Sequence, residues 1–182
     1  MFLDQRRKPS QIEFWRVAPA GAIMLYAAWK YPVHFLAYGF GTGLIPFAPG
    51  TFGSLIGVAL FWFMAPVGAA SYAGLVVVMF VAGIFICGQT ARDVGAIDPG
   101  FIVYDEIVGF LVAMYLLPRD LRWIAAGFVM YRIFDIWKPF PIHYVESHLG
   151  LGLGIMTDDV IAGVYTLTVL HLARLLIGRF AA

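Results

Sequence analysis

Five carboxylates fall where a membrane protein least easily accommodates them. Asp105, Glu106, Asp135, Asp158 and Asp159 each stand at the edge of a long apolar stretch, and acids placed at or inside a bilayer are costly enough to mark functional positions. Carboxylates drawn from several helix ends repel one another unless a cation or a proton lies among them. Oxygen-only ligation of this kind suits Mg²⁺ or another hard divalent ion. Zinc is poorly provided for, because Cys87 is the only cysteine and His34, His143, His148 and His171 contain no i,i+4 pair. Taken singly, Asp105 and Asp158 read as helix N-terminal caps and the other acids as partners of Arg or Lys. Taken as five acids at one face, they favour the metal.

Basic and glycine-rich segments accompany the acids. Arg132 precedes Asp135 by three residues and Lys138 follows it by three, so one helical side carries alternating charge. Beside a metal that set suits a phosphate; alone it reads equally as an ion-pair group at a helix end. Gly39-Phe40-Gly41-Thr42-Gly43 and Pro49-Gly50-Thr51, with Ser54, precede an apolar helix. Glycine lets backbone N–H groups approach an anion and a helix N-terminus adds a favourable dipole, so Gly41, Thr42, Gly43, Gly50 and Thr51 are candidate phosphate contacts. The spacing matches neither a Walker A loop nor a dinucleotide fingerprint, and membrane helices also use glycine simply to pack closely. Cys87, set in Ile84-Phe85-Ile86-Cys87-Gly88, reads as a small packing residue. The Cys-x5-Arg loop of thiol phosphatases requires Arg at position 93, which is Asp93.

The elements that must position these groups are helices in a membrane. Of the 182 residues 62% are hydrophobic and 13% charged, and no Asp, Glu, Lys or Arg occurs in the 61 residues from Tyr31 through Ala91. One spanning helix needs about 20 residues, so this run holds two, separated at Pro66-Val67-Gly68. An open sheet edge cannot face lipid, and the alternation of a barrel is missing. The expectation is an all-α, polytopic bundle of about four or five apolar helices, near 51–67, 71–91, 103–117, 121–137 and 158–177. The net charge of +1, without runs of like charge, excludes a nucleic-acid partner and a charged disordered tail, and it fixes no oligomeric state. Residues 34–182 read as one catalytic membrane domain. Residues 1–33 carry Arg6-Arg7-Lys8 and a short apolar stretch, Val17 to Trp29, interrupted by Pro19 and Gly21 and lacking a cleavage site. They read as a basic interfacial anchor.

With a cytoplasmic amino terminus and helices of alternating direction, the polar clusters converge. Thr51, Arg92-Asp93, Asp105-Glu106, Asp135 with Lys138, and Asp158-Asp159 then share one membrane face. Eight of the twelve Lys and Arg residues fall on the cytoplasmic side, leaving Arg119, Arg122, Arg174 and Arg179 outside.

Four segments carry a family resemblance: Gly39 to Gly43 with Pro49-Gly-Thr-Phe-Gly-Ser54; Tyr104-Asp-Glu-Ile-Val-Gly109; Tyr131-Arg-Ile-Phe-Asp-Ile-Trp-Lys-Pro-Phe-Pro-Ile142; and Gly154-Ile-Met-Thr-Asp-Asp159. In order and spacing this set resembles that of the phosphatidylglycerophosphatase A family, over about residues 35 to 175. The resemblance implies a helical protein of the bacterial inner membrane that removes the terminal phosphate of phosphatidylglycerophosphate in a Mg²⁺-dependent reaction, with its active site facing the cytoplasm. On that reading Asp105, Glu106, Asp158 and Asp159 hold Mg²⁺, and Arg132 and Lys138 bind the phosphate. Asp135 either completes the metal shell or holds the two bases, while Thr51 and the glycines offer N–H groups. Metal-activated water is the expected nucleophile, with direct attack by an aspartate as its competitor, although the Asp-x-Asp signature of aspartyl-phosphate phosphatases is missing. A transporter or proton relay is the rival function, but its acids belong near mid-bilayer. A non-catalytic scaffold gives no reason for acids and bases to gather on one face.

Overall fold

The structure is a computed structural model that describes residues 31–96 and 99–180, without the side chains of residues 143, 146, 147, 179 and 180. The expected interfacial segment therefore lies almost wholly outside the described residues. In chain order the elements are α1 (Pro32–Ala37), a 3₁₀ turn (Thr42–Leu44), α2 (Pro49–Met64) running into a second 3₁₀ turn (Ala65–Val67), α3 (Ala69–Val94), α4 (Tyr104–Ala113), α5 (Leu121–Trp137), α6 (Ile142–His148) and α7 (Leu151–Phe180). The described residues contain no strand. Among the described residues three segments, Pro49–Val67, Ala69–Val94 and Leu151–Gly178, are long and apolar enough to cross a membrane.

The central element is a short apolar helix. α4 packs against α2, α3, α5 and α7, and Ile107, Val108, Phe110 and Leu111 are fully buried. Its ten residues rise only about 15 Å, too little to cross a bilayer. Glycine brings its neighbours close. A Cβ added at Gly163 of α7 would overlap the Gly109 carbonyl of α4, and one at Gly109 would stand 2.6 Å from the Asp159 carbonyl oxygen. Small residues at a crossing let two membrane helices approach backbone to backbone, and here that contact sets Asp159 beside the start of α4. The outward faces are apolar, with Val77, Val78 and Phe85 of α3 and Leu175 and Ile177 of α7 exposed, as lipid-facing positions should be.

Two boundaries differ from the sequence expectation. The last helix begins at Leu151, so Asp158 and Asp159 sit about two turns inside it and not at its start. Gly152 and its neighbouring glycines look like helix breakers, yet a Cβ at Gly152 would overlap the Ile84 carbonyl of α3. The glycine serves a helix crossing. The helix expected over 103–117 ends at Ala113, and Leu116 adopts a left-handed φ of 60° in the turn that follows. The short helices α1 and α6 fall outside the expected set.

The two ends of the bundle carry opposite chemistry. At one, Arg119 donates to the Trp62 carbonyl at 3.2 Å and Arg174 to the Leu116 carbonyl at 3.0 Å, while a His171 ring nitrogen lies 2.9 Å from the Tyr115 carbonyl. These groups satisfy carbonyls left open at helix ends and turns. The five candidate carboxylates lie at the other end.

Candidate active site

α4 opens with Asp105 and Glu106 in its first turn, where carboxylates are favoured by the helix dipole. The α4–α7 crossing delivers Asp159 to them, and oxygen atoms of Asp105, Glu106 and Asp159 all lie within 4.8 Å of one another. Asp105 and Asp159 are buried and Glu106 nearly so. Burial first, then the charges of Glu106 and Asp159, hold the Asp105 carboxyl well above the usual carboxylate range. Burial likewise pushes Glu106 up to about 7, against the charge of Arg132, which pulls it down.

α5 supplies the balancing charge. Arg132 pairs with Asp135, lies 3.9 Å from Glu106 and reaches Ser54 of α2 at 3.5 Å. Ser54 in turn donates to the Gly50 carbonyl at 2.9 Å. Gly50 borders the pair so closely that a Cβ there would meet Glu106 Cδ at 3.0 Å and Arg132 Nη1 at 3.1 Å. Lys138 caps α5 in the left-handed conformation, φ 44° and ψ 59°, a place usually taken by glycine. That turn brings Lys138 Nζ to 2.7 Å from Asp158 Oδ2. That conformation is strained for a residue with a Cβ.

Adjacent residues on a helix diverge by about 100°, and the two aspartates of α7 face different partners. Asp159 joins Asp105 and Glu106, and it accepts a hydrogen bond from Tyr131. Asp158 pairs with Lys138. The glycine-rich loop lies elsewhere: Thr42 donates to the Gly39 carbonyl at 2.8 Å, Gly41 approaches Phe35, and a Cβ on Gly43 would overlap the Phe101 carbonyl. Gly43 thus packs against the segment leading into α4, while Thr42 closes the loop on Gly39. Thr51 borders an open groove beside Arg132. Arg92 and Asp93 lie away from the acids, bonded to Gln89, with Asp93 also 3.5 Å from His34.

Sequence reasoning named Ser54 and Tyr131 within their motifs but assigned neither a role in this set. Tyr131 is fully buried and directly precedes Arg132, and its place beside that base in the motif was the available signal. Ser54 sits one helical turn after Gly50, on the same side of α2.

The acids outnumber the bases, five carboxylates against Arg132 and Lys138. Two carboxylate oxygens, Asp105 Oδ1 and Glu106 Oε2, are buried without a hydrogen-bond partner, as is Arg132 Nε. A buried polar atom left unpaired costs about 1–3 kcal/mol, and buried carboxylate oxygens aimed at each other find natural relief in a cation. The donors are all oxygen, so the group fits a hard divalent ion.

Comparison with known proteins identifies the family. The family model for phosphatidylglycerophosphatase A matches residues 35–174. Phosphatidylglycerophosphatase A of Escherichia coli (strain K12) is 43% identical over 141 residues, covering 77% of this chain and 82% of the relative. The protein of the same name from Haemophilus influenzae is 43% identical over 140 residues, covering 76% and 86%. A putative phosphatidylinositol-3-phosphatase of Bacteroides thetaiotaomicron is 41% identical over 149 residues, covering 77% and 92%. No solved structure gives a significant match. With the model spanning all the helices that build the acidic end, the chain belongs to the phosphatidylglycerophosphatase A family.

Proposed function

We propose that this protein hydrolyses the terminal phosphate of phosphatidylglycerophosphate to phosphatidylglycerol and phosphate, in the bacterial inner membrane and at its cytoplasmic face. The observation that carries the reading is the buried, oxygen-only group of Asp105, Glu106 and Asp159, with unpartnered carboxylate oxygens, set against Arg132. It is supported by the relatives named for that activity. In the reaction water attacks phosphorus, the bond from phosphorus to the glycerol oxygen breaks, and a proton passes to that leaving oxygen.

Asp105, Glu106 and Asp159 would hold Mg²⁺, which when bound supplies positive charge against the phosphoryl oxygens and makes water more acidic. Arg132 and Lys138 bind the remaining anionic oxygens. Ser54 and Asp135 fix the guanidinium, Asp158 fixes the ammonium, and Tyr131 fixes one oxygen of Asp159. Gly50 keeps room for Glu106 and Arg132 side by side. Because the acids gather at one end of the bundle, they suit chemistry on a headgroup better than a relay through mid-bilayer.

A second headgroup merits the same assay, since the Bacteroides relative is named for phosphatidylinositol 3-phosphate. Purified protein is given phosphatidylglycerophosphate, phosphatidic acid, lysophosphatidic acid or phosphatidylinositol 3-phosphate, and phosphate release is followed. Release is expected from phosphatidylglycerophosphate above the others, abolished by EDTA and restored by Mg²⁺. Full activity in a metal-stripped preparation refutes the metal assignment, and preference for another lipid refutes the substrate.

A further inference from the structure

A groove of about 490 Å³ runs between the start of α2 and the outer side of α5. Thr51, Phe128, Val129 and Ile133 line it around Arg132, with Ile136 and Trp137 at its outer edge. Its size falls within the ordinary range of small-molecule sites, about 300–1,000 Å³. Arg132 is the single charged residue among those that line it, and that same side chain pairs with Asp135, faces Glu106 and keeps a buried Nε–H without a partner. Val129 is 56% exposed and Ile133 46%, so the apolar wall opens sideways from the bundle. A soluble phosphate ester has no use for that wall, and an uncharged lipid has none for the guanidinium.

Direction along α5 orders the occupant. The helix runs from the arginine-rich end toward the acidic end, so Phe128 and Val129 lie one turn toward mid-bilayer from Arg132, while Ile136 and Trp137 lie one turn toward the surface. Tryptophan belongs at that surface level. We propose that this groove receives the acylated glycerol and one acyl chain of an anionic phospholipid, taken sideways from the bilayer, with the phosphodiester that joins headgroup to diacylglycerol on Arg132 beside the reacting terminal phosphate, and its chain leaving past Val129 and Phe128. The proposal rests on the phosphatase reading above and adds the residues that recognise the lipid part of the substrate.

The test fills the groove. Val129→Trp and Ile133→Trp alter exposed positions that the fold tolerates, and Val78→Trp, on the exposed face of α3, is the control. Each variant is assayed with dioleoyl and with water-soluble dibutyryl phosphatidylglycerophosphate. The groove variants should raise KM for the dioleoyl lipid about tenfold with kcat held within about twofold, and raise KM for the dibutyryl substrate, whose chains scarcely reach along the wall, by much less. Val78→Trp should change neither. Equal effects on both substrates, or none on either, overturn the groove.

A turnover-independent measurement separates this proposal from the functional one. A phosphatidylglycerophosphate carrying a diazirine on its acyl chain should label residues 128–137. Excess unlabelled phosphatidylglycerophosphate should displace it, phosphatidylcholine should not, and Val129→Trp should lose the label. Competed labelling without phosphate release sinks the phosphatase reading and leaves the groove standing. Phosphate release with labelling spread evenly over the lipid-facing helices sinks the groove alone.

Discussion

Replacing Gly50 with alanine should separate catalysis from folding. Gly50 is the second residue of α2 and has no positive φ, so alanine suits its backbone. By intrinsic propensity the exchange favours the helix by up to about 1 kcal/mol. The cost is confined to the site, where the new methyl would stand 3.0 Å from Glu106 Cδ and 3.1 Å from Arg132 Nη1, and closer still to a Glu106 oxygen. To regain an ordinary contact the carboxylate must retreat by about 1 Å, and a misplacement of that size commonly costs about 100-fold in rate. The assay is phosphate release from phosphatidylglycerophosphate in detergent micelles, run beside thermal unfolding of the same preparation. Gly50→Ala should unfold at or above the wild-type temperature with kcat down about 100-fold. Gly74→Ala, where an added Cβ meets nothing within 4 Å, should leave turnover unchanged. A folded Gly50→Ala protein with wild-type turnover refutes the placement of Glu106 and Arg132 in the reaction.

Three further outcomes follow from the same geometry. Tyr131→Phe removes a bond to Asp159; losing such a support around a ligand should raise the Mg²⁺ concentration for half-maximal activity about 10- to 100-fold, and an unchanged Mg²⁺ titration would make Tyr131 a packing residue only. Acid quench of a single turnover with phosphate-labelled substrate should leave no label on the protein, whereas hydroxylamine-sensitive label lost in Asp135→Asn or Asp158→Asn would establish an aspartate nucleophile. In a Cys87→Ala background in intact cells, Ala96→Cys should resist an impermeant thiol reagent and Asp120→Cys should react; equal reaction at both would contradict opposite sides for those two turns.

Much of this arrangement could be read from the chain because membrane helices of alternating direction leave few ways to pair their ends. That logic brings Glu106, Arg132, Asp135 and Asp159 to one end before any coordinates are considered. The depth of Asp159 was hidden, because Gly150, Gly152 and Gly154 look like punctuation, while Gly152 in fact lets α7 cross α3. The partner of Lys138 was hidden too. Regular spacing places it beside Asp135 on one helix, but the left-handed cap turns it toward Asp158. Tyr131 and Ser54 gave little signal, since both residue types are common in apolar helices; only their contacts give them a part. The Gly39–Gly43 loop shows the opposite ambiguity, as glycines suited to an anion also suit the close packing against Phe101 and Val103 seen here.

The position of Asp159 within α7 governs how the substrate must be counted. Asp159 lies eight residues after Leu151, about 12 Å along the helix, so on the phosphatase reading the lipid phosphate must enter between helices to reach it. A molecule entering that way is drawn from the plane of the membrane, and its relevant concentration is a mole fraction of the surrounding lipid. Diluting the suspension with buffer therefore leaves the rate per protein unchanged, whereas diluting the bilayer with inert phospholipid slows it.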